Sequence, residues 1–300
     1  MDASDLVTLA HGPLRLELAP AIGGAIAGFR RDGVAILREA PAQAVAEGLV
    51  RQMASYPLIP YSNRIAGGRF TFEGEAYRLA PNFGDHPHSV HGNAWQRRWS
   101  VAALEPARCR LVLDHRPVGG DAEGWPFAYR AEQAFVLDDD GLAITLTLTN
   151  EDGRPMPAGL GLHPFFPKRP GTSLRFQAEA VLRNGPDSLP ASREPVPPEW
   201  DYGALRPLGE PGLDNCFAGF DGSAEIRYSN ENIAVRIEAD AVFGHLVVYV
   251  PSARDYFAVE PVSHMNDAIH HPEVPGNGLV VLNPGETLSG TIRFRIGTAL

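Results

Sequence analysis

LAITLTLTN, Leu142 to Asn150, repeats with a period of two: Leu142, Ile144, Leu146 and Leu148 fall on one face, Ala143 and three threonines on the other. Successive side chains of an extended chain point to opposite sides, so this spacing suits a strand with one face on a core and one toward water. The β-branched threonines favour extended backbone as well. Outward from this stretch the pattern recurs. RFTFEGEAYRL (Arg69 to Leu79) reads as a hairpin turning at Gly74, and IAVRIEAD (Ile233 to Asp240) and TIRFRIG (Thr291 to Gly297) keep the two-residue period. DDDG at 138–141 and NEDG at 150–153 punctuate the strands as turns.

The composition agrees. With 31 glycines and 27 prolines in 300 residues, few long helices survive, because proline breaks helix interiors and glycine weakens them. The expected class is mainly β, a large antiparallel sandwich with few short helices. No period of 20–50 residues repeats, which disfavours a propeller or solenoid. Gly185 to Pro211 carries seven prolines and is the one candidate linker. Strand patterning resumes directly after it and candidate site residues fall on both sides. It is therefore read as a surface loop within one domain spanning residues 1–300.

A net charge of −10 argues against nucleic acid and anionic membranes as general partners. No apolar run approaches the ~18 residues of a membrane span. The opening MDASDLVTLAHG has neither a basic segment nor a long apolar one, so a secretory leader is not expected. Cys109 and Cys216, the only cysteines, make neither a disulfide framework nor a zinc cluster, and the chain is read as reduced and cytoplasmic. A monomer or homodimer is expected. No nucleophile elbow, P-loop or dinucleotide glycine fingerprint is present, which leaves serine hydrolysis and nucleotide chemistry without support.

Four stretches place polar groups in apolar or proline-fixed settings. In PLIPYSNRIAGGRF (Pro57 to Phe70), Asn63 and Arg64 follow two prolines; Arg64 either donates to a ligand oxygen or forms an ion pair at a strand end. In DHPHSVHGNAWQRRW (Asp85 to Trp99), a strand would put His86 and His88 on one face and His91 on the other. The spacing of the three histidines matches no zinc signature, and no metal is expected. His91 stands before Gly92, which permits close backbone approach by a ligand. In GLGLHPFFP (Gly159 to Pro167), His163 is either a satisfied core histidine or a proton donor held by its walls. Pro164 restricts it to extended angles. In DYFAVEPVSHMNDA (Asp255 to Ala268), Glu260 ends an apolar run immediately before Pro261; a buried carboxylate there needs a partner, solvent or a raised pKa. Asp214, in PGLDNCFAGF, is equally consistent with a turn.

Taken in order, PYSNRIAGGRF, VHGNAW, GLGLHPFF, GLDNCF and FAVEPVSH, with the closing LNPGETLSGTIRF, resemble the aldose 1-epimerase (galactose mutarotase) family over nearly the whole chain. The resemblance implies a β-supersandwich that interconverts the α and β anomers of a free aldose without cofactor or metal. It implies Glu260 as general base and His163 as general acid, with Arg64, His91, Asp214 and Asn63 on the sugar. Many members carry His-Gly-Gly where this chain has His91-Gly92-Asn93, so Asn93 is expected to add a polar contact or narrow the site. The chemistry is consistent: opening a hemiacetal ring needs one proton removed from the C1 hydroxyl as another reaches the ring oxygen. An apolar wall for the ring is expected from Phe165, Trp95 or Phe243. Two other functions stay open: a hexose-6-phosphate 1-epimerase using Arg97 and Arg98, and a carbohydrate-binding sandwich without turnover.

Overall fold

A computed structural model gives the fold for residues 6–299. Residues 1–5, the start of the stretch expected to lack a leader, and residue 300 lie outside the described residues. The protein is built mostly from antiparallel strands around two large sheets. One has nine strands, in the order Ser100–Glu105, Arg108–His115, Tyr129–Asp138, Gly141–Asn150, Thr287–Gly297, Ile233–Ala239, Ser223–Tyr228, Thr172–Phe176 and Arg206–Pro207. The decisive stretch sits near its centre. Leu142, Ile144, Leu146 and Leu148 are buried, each contributing about 1.5–3 kcal/mol of transfer free energy. On the other face the threonines pair across the strands: Thr145 with Thr291, Thr147 with Ser289 and Thr149 with Thr287, at 2.9–3.0 Å. The expected hairpin is present as Arg69–Phe72 and Glu75–Arg78. Ala42–Glu47 is the one α-helix among the described residues.

The second sheet, of eight strands, positions the site. Its order runs Pro190–Glu194, Ala180–Asn184, Asp214–Ala218, His245–Tyr249, Tyr256–Val262, Gly161–Leu162 and Pro57–Leu58, with Phe165–Pro167 also pairing with Tyr256–Val262. Alternation divides its central strands between two environments. Phe257, Val259, Leu246, Val248 and Phe217 join the main core with the large sheet's Leu146 and Phe294. Ala258, Val262, Val247 and Cys216 face the opposite way, in a second cluster with Tyr56, Trp95 and Phe165.

Gly185 to Pro211 is more structured than a surface loop. Pro190–Glu194 forms an edge of the eight-stranded sheet, and Arg206–Pro207 an edge of the nine-stranded sheet. Proline is tolerated at edges, where a missing N–H costs no ladder bond. Thus proline density marked strands with one open side as well as turns.

Candidate active site

The register of the second sheet brings His163 and Glu260 together. Gly161 pairs with Val262 and Phe165 with Ala258, so His163 falls opposite Glu260. Pro164 has no N–H, and the strand is interrupted there. The His163 N–H turns to the Tyr56 carbonyl at 3.0 Å, and the Phe165 N–H to that of Ala54 at 2.9 Å. Residues directly opposite each other share a face, and His163 Nε2 lies 3.3 Å from Glu260 Oε1. The next row along, Asp214, Tyr249 and Ala258, is aligned by the same ladder. These groups open on a cavity of about 250 Å³ lined by Tyr56, Asn63, Arg64, His91 and Phe165 among others.

Both members of the pair are nearly inaccessible, Glu260 2% and His163 8% exposed. Burial, reinforced by the negative charge of Asp214 and offset by Arg64, raises the Glu260 carboxyl well above the usual range. Burial, followed by the positive charge of Arg38, lowers His163 to about 3. Burial thus disfavours the charged form of both groups. Glu260 Oε2 and His163 Nδ1 are shielded and have no hydrogen-bond partner in the fold. Such orphans are costly in a structural role and useful in a site that receives polar ligand atoms.

The opposite wall is made by two loops locked to each other. His91 donates its N–H to the Asn63 carbonyl at 2.7 Å, while the Asn63 N–H donates to His91 Nδ1 at 3.1 Å. Because Nδ1 accepts, the ring proton of neutral His91 resides on Nε2. Burial, helped by the positive charge of Arg64, holds this imidazole well below the ordinary histidine range. Asn63 and His91 both have left-handed backbone, with φ of 55° and 66°, a strained setting for a non-glycine side chain. Asn63 Oδ1 accepts from the Arg64 backbone N–H at 3.0 Å and from Arg64 Nη1 at 2.9 Å, aiming the guanidinium. Arg64 Nη2 stands 3.7 Å from Asp214 Oδ2. All six residues singled out in the sequence, Glu260, His163, Arg64, His91, Asp214 and Asn63, therefore line one cavity.

The sequence profile of the family described as Aldose 1-epimerase matches residues 5–295. This chain belongs to the aldose 1-epimerase family. Across 299 residues, 97% of this chain and 98% of the relative, it is 33% identical to YphB of Escherichia coli K12, an uncharacterized protein. A crystal structure of a candidate aldose 1-epimerase from the same organism superposes with a TM-score of 0.89 at 32% identity, covering 98% of this chain and 99% of that one. A galactose mutarotase-like protein from Clostridium acetobutylicum shares the fold at a TM-score of 0.86 and 18% identity, over 99% and 97% of the two chains. The mostly antiparallel galactose mutarotase-like sandwich is thus the fold of this family member.

Several finer expectations change. Of the three aromatic candidates, Phe165 lines the cavity, with its ring stacked 4.3 Å from His163. Trp95 lies behind it, its indole N–H donating to the Gly92 carbonyl at 3.0 Å, and Phe243 is in the main core. Asn93 faces inward: its Oδ1 accepts from Tyr129 at 2.6 Å, and its Nδ2 lies 3.3 Å from His115 Nδ1. Asn93 thus belongs to a buried polar network and does not line the cavity. Arg97 is bound to Asp121 at 2.9 Å, and neither it nor Arg98 lines the cavity. Among the described residues no three metal-ligating side chains converge; His88 Nδ1 is occupied by the Gly67 N–H.

Tyr56, Phe83, His86, Tyr249 and Arg51 also line the epimerase-family cavity. Sequence reasoning had considered His86 only as a metal ligand and had passed over the others. Tyr249 was recoverable in principle, because it shares a strand face with Val247. Arg51 and Phe83 arrive from loops with no local signature. Among the described residues, no helix is long and apolar enough to cross a membrane.

Proposed function

We propose that this protein is an aldose 1-epimerase that opens and recloses the ring of a free aldose, with Glu260 and His163 as a proton-exchanging pair. The observation that carries the reading is the 3.3 Å approach of Glu260 Oε1 to His163 Nε2 at the closed end of a sugar-sized cavity. The reaction needs one base and one acid on neighbouring oxygens, and the pair holds the one proton that this division requires. Passage of that proton from Glu260 to His163 gives a carboxylate and an imidazolium. The substrate's C1 hydroxyl and ring oxygen then take the place of the direct contact between the two side chains. Glu260 removes the hydroxyl proton as His163 Nε2–H protonates the ring oxygen, and the C1–O5 bond breaks to the open aldehyde. Rotation about C1–C2 presents the other carbonyl face, and the reverse transfers close the ring as the second anomer.

The remaining groups orient the sugar in this account. Neutral His91 donates from Nε2, Arg64 donates from a guanidinium fixed by Asn63, and Asp214 accepts from a hydroxyl. Phe165 and Tyr56 offer apolar faces, and the enzyme works in the cytoplasm as one domain. Positioned acid and base groups each contribute about 10²–10⁴-fold, sufficient for a reaction that already proceeds in water. Following the optical rotation of freshly dissolved α-D-galactose and α-D-glucose tests the proposal. Equilibration faster than buffer, in proportion to enzyme, is expected. Rates equal to buffer across a panel of aldoses would instead identify a binding protein without turnover.

A further inference from the structure

The sugar cavity opens at its rim into a second, larger depression. Arg51 and Tyr256 line both, and the adjoining groove has a volume of about 1080 Å³. The catalytic pair occupies the buried end of the inner cavity, whereas Arg51 is exposed. A sugar held by its anomeric end therefore directs its far end toward this groove.

Four arginines line the groove: Arg38, Arg51, Arg169 and Arg254. Its carboxylates number two, Glu39 and Asp255, and Glu39 is already engaged by Arg30. Among the described residues, neither Arg51 nor Arg254 has a carboxylate within ion-pair distance. Arg51 instead lies 4.2 Å over the Phe83 ring. Arg38 Nη2 donates to the carbonyls of Met53, at 2.6 Å, and Arg51, at 3.1 Å. Its guanidinium lies 3.8 Å over Phe165 and 4.4 Å over Tyr256, and its Nε has no partner. Arg169 stands 3.8 Å from Glu231 and donates to the Ala35 carbonyl at 2.6 Å. The groove arginines without a carboxylate at ion-pair distance, among the described residues, are therefore Arg38, Arg51 and Arg254. In a chain of net charge −10, this positive charge beside the site needs a chemical reason.

We propose that the groove receives an anionic extension of the aldose, and specifically that the substrate is the reducing end of an acidic disaccharide or short oligosaccharide whose next unit carries a carboxylate. This inference rests on the epimerase reading and names the substrate class of that same site. A phosphate on the aldose itself would use a small part of the groove. A second pyranose fills more of it, and the exposed guanidiniums of Arg51, over Phe83, and Arg254 offer paired donors to a carboxylate.

The test measures anomer exchange by NMR for galactose, galactose 6-phosphate, a glucuronic acid joined to galactose in its four- and six-linked forms, and the matching neutral disaccharides. At least one acidic disaccharide is expected to show a KM about tenfold below its neutral counterpart, a preference that weakens at about 1 M salt, where charges are screened within ~3 Å. Arg254→Glu, on the exposed rim of the groove, is expected to abolish that preference and leave galactose turnover unchanged. Equal KM values for acidic and neutral disaccharides, or a stronger preference for galactose 6-phosphate, would overturn the inference. Absence of exchange with every sugar would instead overturn the epimerase reading on which it rests.

Discussion

At the scale of single residues, Glu260 and His163 are in tension with their surroundings. Each has a shielded, unpartnered atom, and burial drives each toward its neutral form. A fold that needed only stability would be better served by apolar side chains of similar volume. In the proposed mechanism, a proton shared by the pair connects this cost to turnover. In that mechanism, replacing Glu260 by Gln removes the base and replacing His163 by Asn removes the acid. Each is expected to lower the enzymatic anomerisation rate by about 10²–10⁴-fold, while circular dichroism and the thermal midpoint stay those of a folded protein. A variant that keeps the parental rate would remove its residue from the mechanism.

At the scale of elements, two local devices build the site. One is the ladder that places residue 163 opposite residue 260; the other is the interlocked pair of turns at Asn63 and His91. Gly92 secures the second. Its φ is 69°, and a Cβ there would run into the Ile59 carbonyl oxygen and the Pro60 ring. Gly74, in the Arg69–Arg78 hairpin, has a similar φ of 82°, with open space where a Cβ would go. Gly92→Ala is therefore expected to cost about 1–3 kcal/mol more than Gly74→Ala, read from urea unfolding midpoints, with a matching loss of sugar affinity. Equal costs would show that the close approach to Ile59 is relieved without disturbing the turn.

These devices also explain what was legible in the sequence. Alternation at Leu142 to Asn150 announced its strand because one face is buried and the other is a hydroxyl ladder. The short strands around His163 announce nothing by period: Gly161–Leu162 and Phe165–Pro167 are buried throughout most of their length. His163 and Glu260 stood out through their proline neighbours and the family resemblance, but their meeting depends on a register that no local pattern encodes. The departure from His-Gly-Gly at Asn93 suggests a side chain that adds a polar contact or narrows the site. A backbone that turns through two successive left-handed residues, His91 and Gly92, sends the next side chain into the core instead.

At the scale of the whole molecule, the buried imidazoles couple the fold to pH. His163 is lowered to about 3, and His245 and His264 each to about 4, in every case chiefly by burial. Each folded value lies below the unfolded one of 6.5. Below pH 6.5 the unfolded chain therefore takes up protons that the folded chain refuses, and stability falls as pH drops toward 4. Each imidazole adds a slope approaching about 1.4 kcal/mol per pH unit within that window. Glu260 acts in the other direction: its folded value is raised, so its contribution is present at low pH and is lost as pH rises through that value. Urea unfolding between pH 7 and 4 is expected to show a steep acid loss, and a flat profile would contradict the burial of these rings as neutral groups. The same reckoning links the site to the scaffold, since His163 belongs to both.

The central claim is that Glu260 and His163 act as one unit on one sugar, and a double-variant cycle tests it most directly. Anomer exchange on a single aldose would be measured by NMR for Glu260→Gln, His163→Asn and the two combined. Members of a single proton relay are strongly non-additive, so the double variant is predicted to be no slower than the slower single variant by more than about twofold. Losses that multiply in the double variant would mean that the two side chains work independently, and the shared-proton account would fail.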